Sequence, residues 1–243
     1  MALTVLAVIP ARLASTRLPR KVLRELAGRP MIAWVYERTR RAPWLTDALV
    51  ATDSDEVMAA CRRLGIPAVL TSAEHRSGTD RVWEVAQGRD ADVYVNVQGD
   101  EPLITVGHIE RLVSPFLDTP ETQVTTLRIR ATPAEVPNPN AVKVVCAADD
   151  RALYFSRFPV PYDRDGAGVT VYKHIGLYAY RRTALDRFHA LPPGPLERAE
   201  NLEQLRFLEH GVPIVVRETA EPTVGVDTEE DLRAAEARLA SGG

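Results

Sequence analysis

Leu3-Thr4-Val5-Leu6-Ala7-Val8-Ile9-Pro10-Ala11-Arg12-Leu13-Ala14-Ser15-Thr16-Arg17-Leu18-Pro19-Arg20-Lys21 is the stretch on which the fold turns. Leu3 to Ile9 is a nearly unbroken aliphatic run, the pattern of a parallel strand covered on both faces. The loop behind it carries four cations (Arg12, Arg17, Arg20, Lys21), two hydroxyls and no acid. Further on, Pro30 stands at an expected first helical position, and Met31 to Arg41 is amphipathic. Ala48 to Ala51 reads as a second strand ending in Thr52-Asp53, and Ser54 to Leu64 as a helix stopped by Gly65. Val69-Leu70 is a short third strand, Thr79 to Gln87 a helix, and Asp92 to Val97 the next strand. This alternation predicts an α/β fold: an open, mostly parallel, Rossmann-like sheet with right-handed crossovers and helices on both faces. Ligands of such sheets bind outside the carboxyl ends of the strands, and the polar clusters considered below all follow a predicted strand.

The second half is less regular. Val124 to Ile129, Val142 to Cys146 and Ile175 to Tyr180 read as strands, and Leu196 to Glu209 and Glu229 to Leu239 as helices. Pro133 to Pro139 and Pro159 to Gly168 are turn-rich, the second long enough to act as a flap. No linker separates two cores, so residues 1–243 are expected to form a single domain with a β-rich excursion near 125–180. The chain has 30 Lys and Arg against 33 Asp and Glu, a net charge of −3, with the basic residues scattered, which argues against nucleic acid as a partner. No apolar run approaches the roughly 20 residues of a membrane span. The apolar start is shorter than a signal peptide and is followed by arginines. Cys61 and Cys146 lack metal or redox spacing and read as reduced residues of a cytoplasmic protein.

The cationic loop suits a polyphosphate, because arginine forks and a lysine point charge answer its oxygens directly. A merely solvated basic loop is the competing reading. Glycines are missing, so this is not a Walker loop and side chains must carry most of the contact. Gln98-Gly99-Asp100-Glu101-Pro102 follows a predicted strand, which places Asp100 well for Mg²⁺, an ion that takes one or two carboxylates plus phosphate oxygens and waters. Asp227, in Gly225-Val226-Asp227-Thr228, reads equally as a second metal ligand or as the N-cap of the helix opening at Glu229.

Several motifs, in order, resemble the 3-deoxy-manno-octulosonate cytidylyltransferases. They are Ile9-Pro10-Ala11-Arg12 with Ser15 to Pro19 and Lys21; Ala51-Thr52-Asp53; His75 to Arg81; and Asn96 to Pro102. Asn138 to Val145, Tyr154 to Arg157, Lys173 to Tyr178, Leu202 to Arg206 and Gly225 to Thr228 continue the match over nearly the whole chain. Arg20 departs from the glycine that many members carry between Pro and Lys, and the connection Tyr162 to Lys173 is short.

The resemblance implies transfer of CMP from CTP to the anomeric hydroxyl of 3-deoxy-D-manno-octulosonate (KDO), with release of pyrophosphate. The product would serve lipopolysaccharide precursor synthesis. The catalytic set is then Arg12, Arg17, Lys21, Asp100 and Asp227, with Mg²⁺ on Asp100 and Asp227. Arg17 and Lys21 are assigned to the leaving pyrophosphate and Arg12 to the α-phosphate or ribose. The nucleotide is expected against Ala11, Arg12, Ser15, Arg17, Lys21, Ser77, Gly78, Thr79 and Arg81. Here Arg81 would face the cytosine, or Thr79 would simply cap a helix. The sugar acid is expected against Gln98, Arg157, His174, Tyr178, Glu200, Glu203 and Gln204. Arg157 would meet the sugar carboxylate, with a surface salt bridge as its alternative, and His174 and Tyr178 would donate to hydroxyls. A homodimer through the β-rich excursion is also implied. The rivals are a cytidylyltransferase for sialic-type acids, a glycosyltransferase (whose Asp-x-Asp motif is missing here) and a non-catalytic nucleotide-binding module.

Overall fold

The computed structural model describes residues 3–13 and 18–240. In chain order it begins with β1 (Val5–Ala11), all seven residues buried, as the aliphatic run requires. A small antiparallel hairpin follows, β2 (Glu25–Leu26) and β3 (Arg29–Pro30), leading into α1 (Met31–Thr39). Next come β4 (Asp47–Thr52), α2 (Asp55–Leu64), β5 (Ala68–Leu70), α3 (Gly78–Gly88), β6 (Val93–Asn96) and α4 (Val106–Asp118). Strands β7 (Val124–Arg130), β8 (Lys143–Cys146), β9 (Ala152–Ser156) and β10 (Tyr172–Tyr180) precede α5 (Arg182–Ala190), α6 (Pro195–Glu200) and α7 (Leu205–Glu209). The chain ends with β11 (Ile214–Glu218) and α8 (Glu229–Ala240).

These elements form two compact units, Met1–Glu110 with Thr223–Gly243, and Arg111–Pro222. In the first, the strands lie in the order β6-β1-β4-β5, every pair parallel. Helices α1 and α3 pack on β1 and β4, and α2 on β4 and β5. This is the mostly parallel α/β class that the alternating pattern implies. Helix α2 starts on Ser54, whose side chain accepts from Val57 N, and stops at Gly65 in the left-handed region at φ 67°. Pro30 proves to be the N-cap of α1 and not its first helical residue.

The cluster that matters most for the site joins distant segments of this first unit. Leu18, Leu26, Met31, Leu103, Val226, Leu232 and Ala235 are all buried together, with Trp34, Val224 and Leu239 against them. Each fully buried leucine contributes roughly 1.5–3 kcal/mol. Their combined effect holds α8 and the segment before it onto the exit of the cationic loop.

In the second unit β7 lies between β11, which it pairs in parallel, and β10, which it pairs antiparallel. Strand β10 also pairs with β8, and β8 with β9. The expected helix Leu196 to Glu209 is corrected to α6 and α7, broken at Asn201, which turns left-handed at φ 52°. Four elements here have weak signals in the chain: α4 contains Pro115, and β9, α5 and β11 are short and mixed in polarity.

Replacing Gly65 by alanine should cost about 1 kcal/mol, because its left-handed φ penalises a Cβ while nothing lies within 4 Å to clash. Urea unfolding of Gly65→Ala measures this, and an unchanged midpoint would contradict it.

Candidate functional site

Within the first unit, the carboxyl end of β1 leads through Ala11, fully buried, into Arg12. Arg12 Nη2 donates to the carbonyl of Arg76 at 2.9 Å, tying the cationic loop to the segment ahead of α3. Ser15 and Arg17 lie outside the described residues. Lys21 follows, and its ammonium is bound by both expected carboxylates. It donates to Asp227 Oδ1 at 2.8 Å and forms a second, short contact with Asp100 Oδ2. Burial opposes the charge on Lys21, but Asp100 and then Asp227 outweigh it, so the ammonium is held above its ordinary pKa.

The two readings of Asp227 separate here. The start of α8 is capped by Thr228, whose Oγ1 accepts from Asp231 N at 3.2 Å. Asp231 Oδ2 answers by accepting from Asp227 N, Thr228 N and Thr228 Oγ1. With the cap made by Thr228 and Asp231, the carboxylate of Asp227 turns to Lys21. Gly99 makes the approach of Asp100 feasible: a Cβ there would lie 2.7 Å from the carbonyl oxygen of Pro10. Glu101 points away, toward Gly225.

The two carboxylates converging on one cation suit a hard dication. Among the described residues no group of three or more His, Cys, Asp or Glu side chains gathers as metal ligands. Two carboxylates completed by phosphate and water oxygens is the set that Mg²⁺ favours. Asp100 and Asp227 therefore fit it.

At the start of α3 the structure corrects two expectations. Ser77, not Thr79, is the N-cap: its Oγ accepts from Asp80 N at 3.0 Å, and Asp80 Oδ2 accepts from Ser77 N. Thr79 is buried within the first turn, two residues after the cap. Arg81 is completely buried and does not present its guanidinium to a base. Nη2 donates to Asp53 Oδ2 at 2.9 Å, and Nη1 bonds the hydroxyl of Thr71. Its pairing fastens α3 to the end of β4. At Gly78, the first residue of α3, a Cβ would make ordinary contacts, 3.6 Å from each of Asn96, Gln98 and Pro10.

The candidate sugar-side residues of the second unit also gather. His174 and Tyr178 lie four apart, a separation of about 13 Å along a regular strand, yet their ring centroids are 5.4 Å apart. A bulge explains this: Ile175 pairs with Leu127 and Tyr178 with Thr126, so Gly176 and Leu177 oppose nothing. Thr126 Oγ1 lies 2.8 Å from the Leu177 carbonyl, 3.2 Å from that of Ile175 and 3.0 Å from His174 Nε2. Its single proton goes to a carbonyl, so Nε2 is the protonated nitrogen of His174. The other nitrogen, Nδ1, is then an acceptor and not the donor expected from the sequence. Burial holds His174 down to about 3, so the ring stays neutral. Burial, followed by Tyr180 and Glu203, holds the Tyr178 phenol well above its ordinary value.

Arg157 is also corrected. Its Nε donates to Glu200 O at 2.7 Å, Nη1 to Pro139 O at 3.0 Å and Nη2 to Asn201 O at 3.3 Å. These carbonyl contacts make it a clamp between loops and not a surface salt bridge. Glu200 completes the clamp by accepting from Ser156 Oγ and Arg157 N, both at 2.8 Å. Glu203 lies in the turn between α6 and α7 and not on one helix face with Glu200. Gln204 is buried with its Nε2 unsatisfied, which fits a donor kept for a ligand. Gln98, half-buried in the first unit, gives an N–H to Asn96 Oδ1 at 3.5 Å.

Three further residues escape motif reading. Lys143 is fully buried and donates to the carbonyls of Asn138 (2.8 Å) and Arg157 (2.6 Å), supporting the clamp. Thr126 orients His174. Asn96, fully buried, carries an amide nitrogen with no partner. Asn96 and Lys143 lie within motifs quoted above, without a role assigned to them there, and Thr126 stands in a strand of mixed polarity that gives it no signal.

Residues 6–217 match the model of a family described as cytidylyltransferase. A 3-deoxy-manno-octulosonate cytidylyltransferase of Acidobacterium capsulatum is 59% identical, the alignment covering 98% of this chain and 97% of that protein. One of the same description from Koribacter versatilis is 57% identical over 97% of this chain and 90% of that protein. A solved structure of CMP:2-keto-3-deoxy-manno-octonic acid synthetase complexed with CTP superposes with a TM-score of 0.95. It is 42% identical and covers 99% of this chain and 100% of that one.

The neutral His174 sets a pH response. Its folded pKa lies near 3, below the unfolded value of about 6.5, so the unfolded chain binds the extra proton. Its contribution is complete above pH 6.5 and is lost as pH falls toward 3. Between pH 7 and pH 5 this amounts to roughly 2 kcal/mol. His174→Gln should flatten the stability profile over that interval in urea titrations; an unchanged profile would contradict the assignment.

Proposed function

The chain belongs to the cytidylyltransferase family, and from that membership we propose that it transfers CMP from CTP to the anomeric hydroxyl of 3-deoxy-D-manno-octulosonate, using Mg²⁺ held by Asp100 and Asp227. The observation that carries this reading is Lys21 bound between those two carboxylates at the end of the cationic loop. The named relatives match along nearly their whole length, which supports KDO as the acceptor.

In the reaction the anomeric oxygen of the sugar forms a bond to the α-phosphorus of CTP, and the bond to the β-phosphate oxygen breaks. Pyrophosphate leaves with the electron pair, and the hydroxyl proton is lost. Charge grows on the phosphate oxygens, so catalysis is chiefly positioning and electrostatic stabilisation. Mg²⁺, when bound, supplies Lewis-acid neutralisation of that charge. Lys21 has three N–H donors; two go to Asp100 and Asp227, and the third would serve a phosphate oxygen. Arg12 would serve the α-phosphate, and Arg17, by its place in the sequence, the pyrophosphate. Covalent catalysis by Cys61 is disfavoured, since burial pushes its thiol up to about 11.

On the acceptor side, neutral groups of the second unit suit a polyol, with His174 Nδ1 as acceptor and Tyr178 and Gln204 as donors, while the carboxylates of Glu200 and Glu203 are further candidate acceptors. The product would feed lipopolysaccharide precursor synthesis. No helix among the described residues is long and apolar enough to cross a membrane, and both cysteines are free, which supports a cytoplasmic setting. A homodimer is supported by apolar side chains left in water on the second unit, namely Leu153 (62% exposed), Phe158 (74%) and Tyr162 (84%).

Pyrophosphate release tests the reaction. With CTP, Mg²⁺ and KDO, release should be rapid. With a sialic acid it should be slow, and Asp100→Ala or Asp227→Ala should lower it by at least about a hundredfold. Release from KDO undiminished in both variants would refute the metal assignment, and release with neither sugar would refute the acceptor. Sedimentation should show a dimer that Leu153→Glu with Phe158→Glu weakens; a monomeric wild type would reject that part.

A further inference from the structure

Val93-Tyr94-Val95-Asn96-Val97 runs through the middle of the first unit, and each of these residues is fully buried. Asn96 interrupts an otherwise apolar sequence at the carboxyl end of β6, where it pairs with Val8 of β1. A buried carboxamide placed there for structure alone is expected to satisfy both of its ends. Asn96 satisfies one: Oδ1 accepts from Gln98 Nε2 at 3.5 Å, which orients the amide, while Nδ2 meets no acceptor. An unmade donor of this kind costs roughly 1–3 kcal/mol.

What lies beside Nδ2 is a gap. Gly78 opens α3, and a Cβ built on it would stand 3.6 Å from Asn96 Nδ2, 3.6 Å from Gln98 Nε2 and 3.6 Å from Pro10 Cγ. The missing side chain thus leaves a methyl-sized space, bounded by two amide nitrogens and the ring that begins the cationic loop. A space lined by donors calls for an acceptor atom. Cytosine and uracil differ at two neighbouring edge positions: N3 carries a lone pair in cytosine and hydrogen in uracil, and C4 carries an amino donor in cytosine and a carbonyl acceptor in uracil.

We infer that Asn96 is a specificity-determining residue, whose Nδ2 donates to N3 of cytosine through the gap over Gly78 and so selects CTP over UTP. This rests on the reading of the chain as a CTP-dependent transferase and supplies the base recognition that the buried Arg81 does not. Uracil would bring its N3 hydrogen against the amide hydrogens of Asn96, leaving two donors face to face. Gln98 acts here as a positioning residue, because its N–H fixes which end of Asn96 faces the gap.

Two variants and two nucleotides test the inference. The Kd of CTP and of UTP, each with Mg²⁺, is measured by calorimetry, and kcat/KM for pyrophosphate release with KDO is measured alongside. Wild type should prefer CTP. Asn96→Leu keeps the shape and removes the donor, so the CTP/UTP ratio should fall at least about tenfold. Gly78→Ala meets only ordinary contacts and should fold normally, while its methyl fills the gap and raises the Kd of CTP at least about tenfold. Equal losses for both nucleotides in Asn96→Leu would make the residue structural and overturn the inference. An unchanged CTP Kd in Gly78→Ala, or a wild type without preference, would overturn it too. Should Asn96→Leu fail to fold, Gly78→Ala decides. A wild type that prefers CTP but releases no pyrophosphate would count against the proposed transfer and leave the base recognition standing.

Discussion

The ammonium of Lys21 lies between two carboxylates that stand 79 and 206 residues from it along the chain. Bringing these three groups together requires β1, the loop after β6 and the start of α8 to meet, and no local propensity can arrange that. The apolar cluster of Leu18, Leu26, Met31, Val226 and Leu232 provides the force, since it buries residues flanking both Lys21 and Asp227. The polar contact then sets the register of what the apolar cluster has gathered. Two carboxylates side by side would repel, and the lysine charge between them offsets that repulsion.

Position in the sequence made the parallel core legible. Long aliphatic runs, a serine before α2 and a glycine after it have single physical meanings, and β1, β4, α2 and β6 lie within a residue or two of where those signals place them. The second unit was harder for a definite reason. Helix α4 contains a proline, β9 and β11 are short, and the break at Asn201 depends on a left-handed turn that asparagine tolerates without announcing. Of the site, the residues that were readable are those whose chemistry is charge: Lys21, Asp100, Asp227. Arg81 and Arg157 show the limit of that approach. Each looked like a cation for a ligand, yet a guanidinium has five donors to satisfy, and neighbouring carbonyls around Arg157, or Asp53 and Thr71 around Arg81, engage several of them first.

The candidate acceptor side relies on neutral groups. Thr126 fixes the tautomer of His174, burial keeps that ring and Tyr178 uncharged, and Gln204 keeps a donor in reserve. Uncharged hydrogen-bonding groups in a dry setting discriminate by the direction of each bond, because a mismatched donor or acceptor there has no water to turn to. The carboxamide of Asn96 extends the same logic to the first unit.

The bulge in β10 holds two unpaired residues, Gly176 and Leu177, and the number two has its own consequence. Side chains alternate across a strand, so an even insertion preserves parity: residues before and after it keep to the faces they would have had without it. His174 and Tyr178 are thereby drawn together while Tyr180 still points into the aromatic stack with Phe207. Loss of Gly176 alone would invert every side chain downstream to the opposite face. Loss of Gly176 with Leu177 would leave the faces intact and keep His174 and Tyr178 as same-face neighbours about 7 Å apart on a regular strand, so this strand can change length here in steps of two.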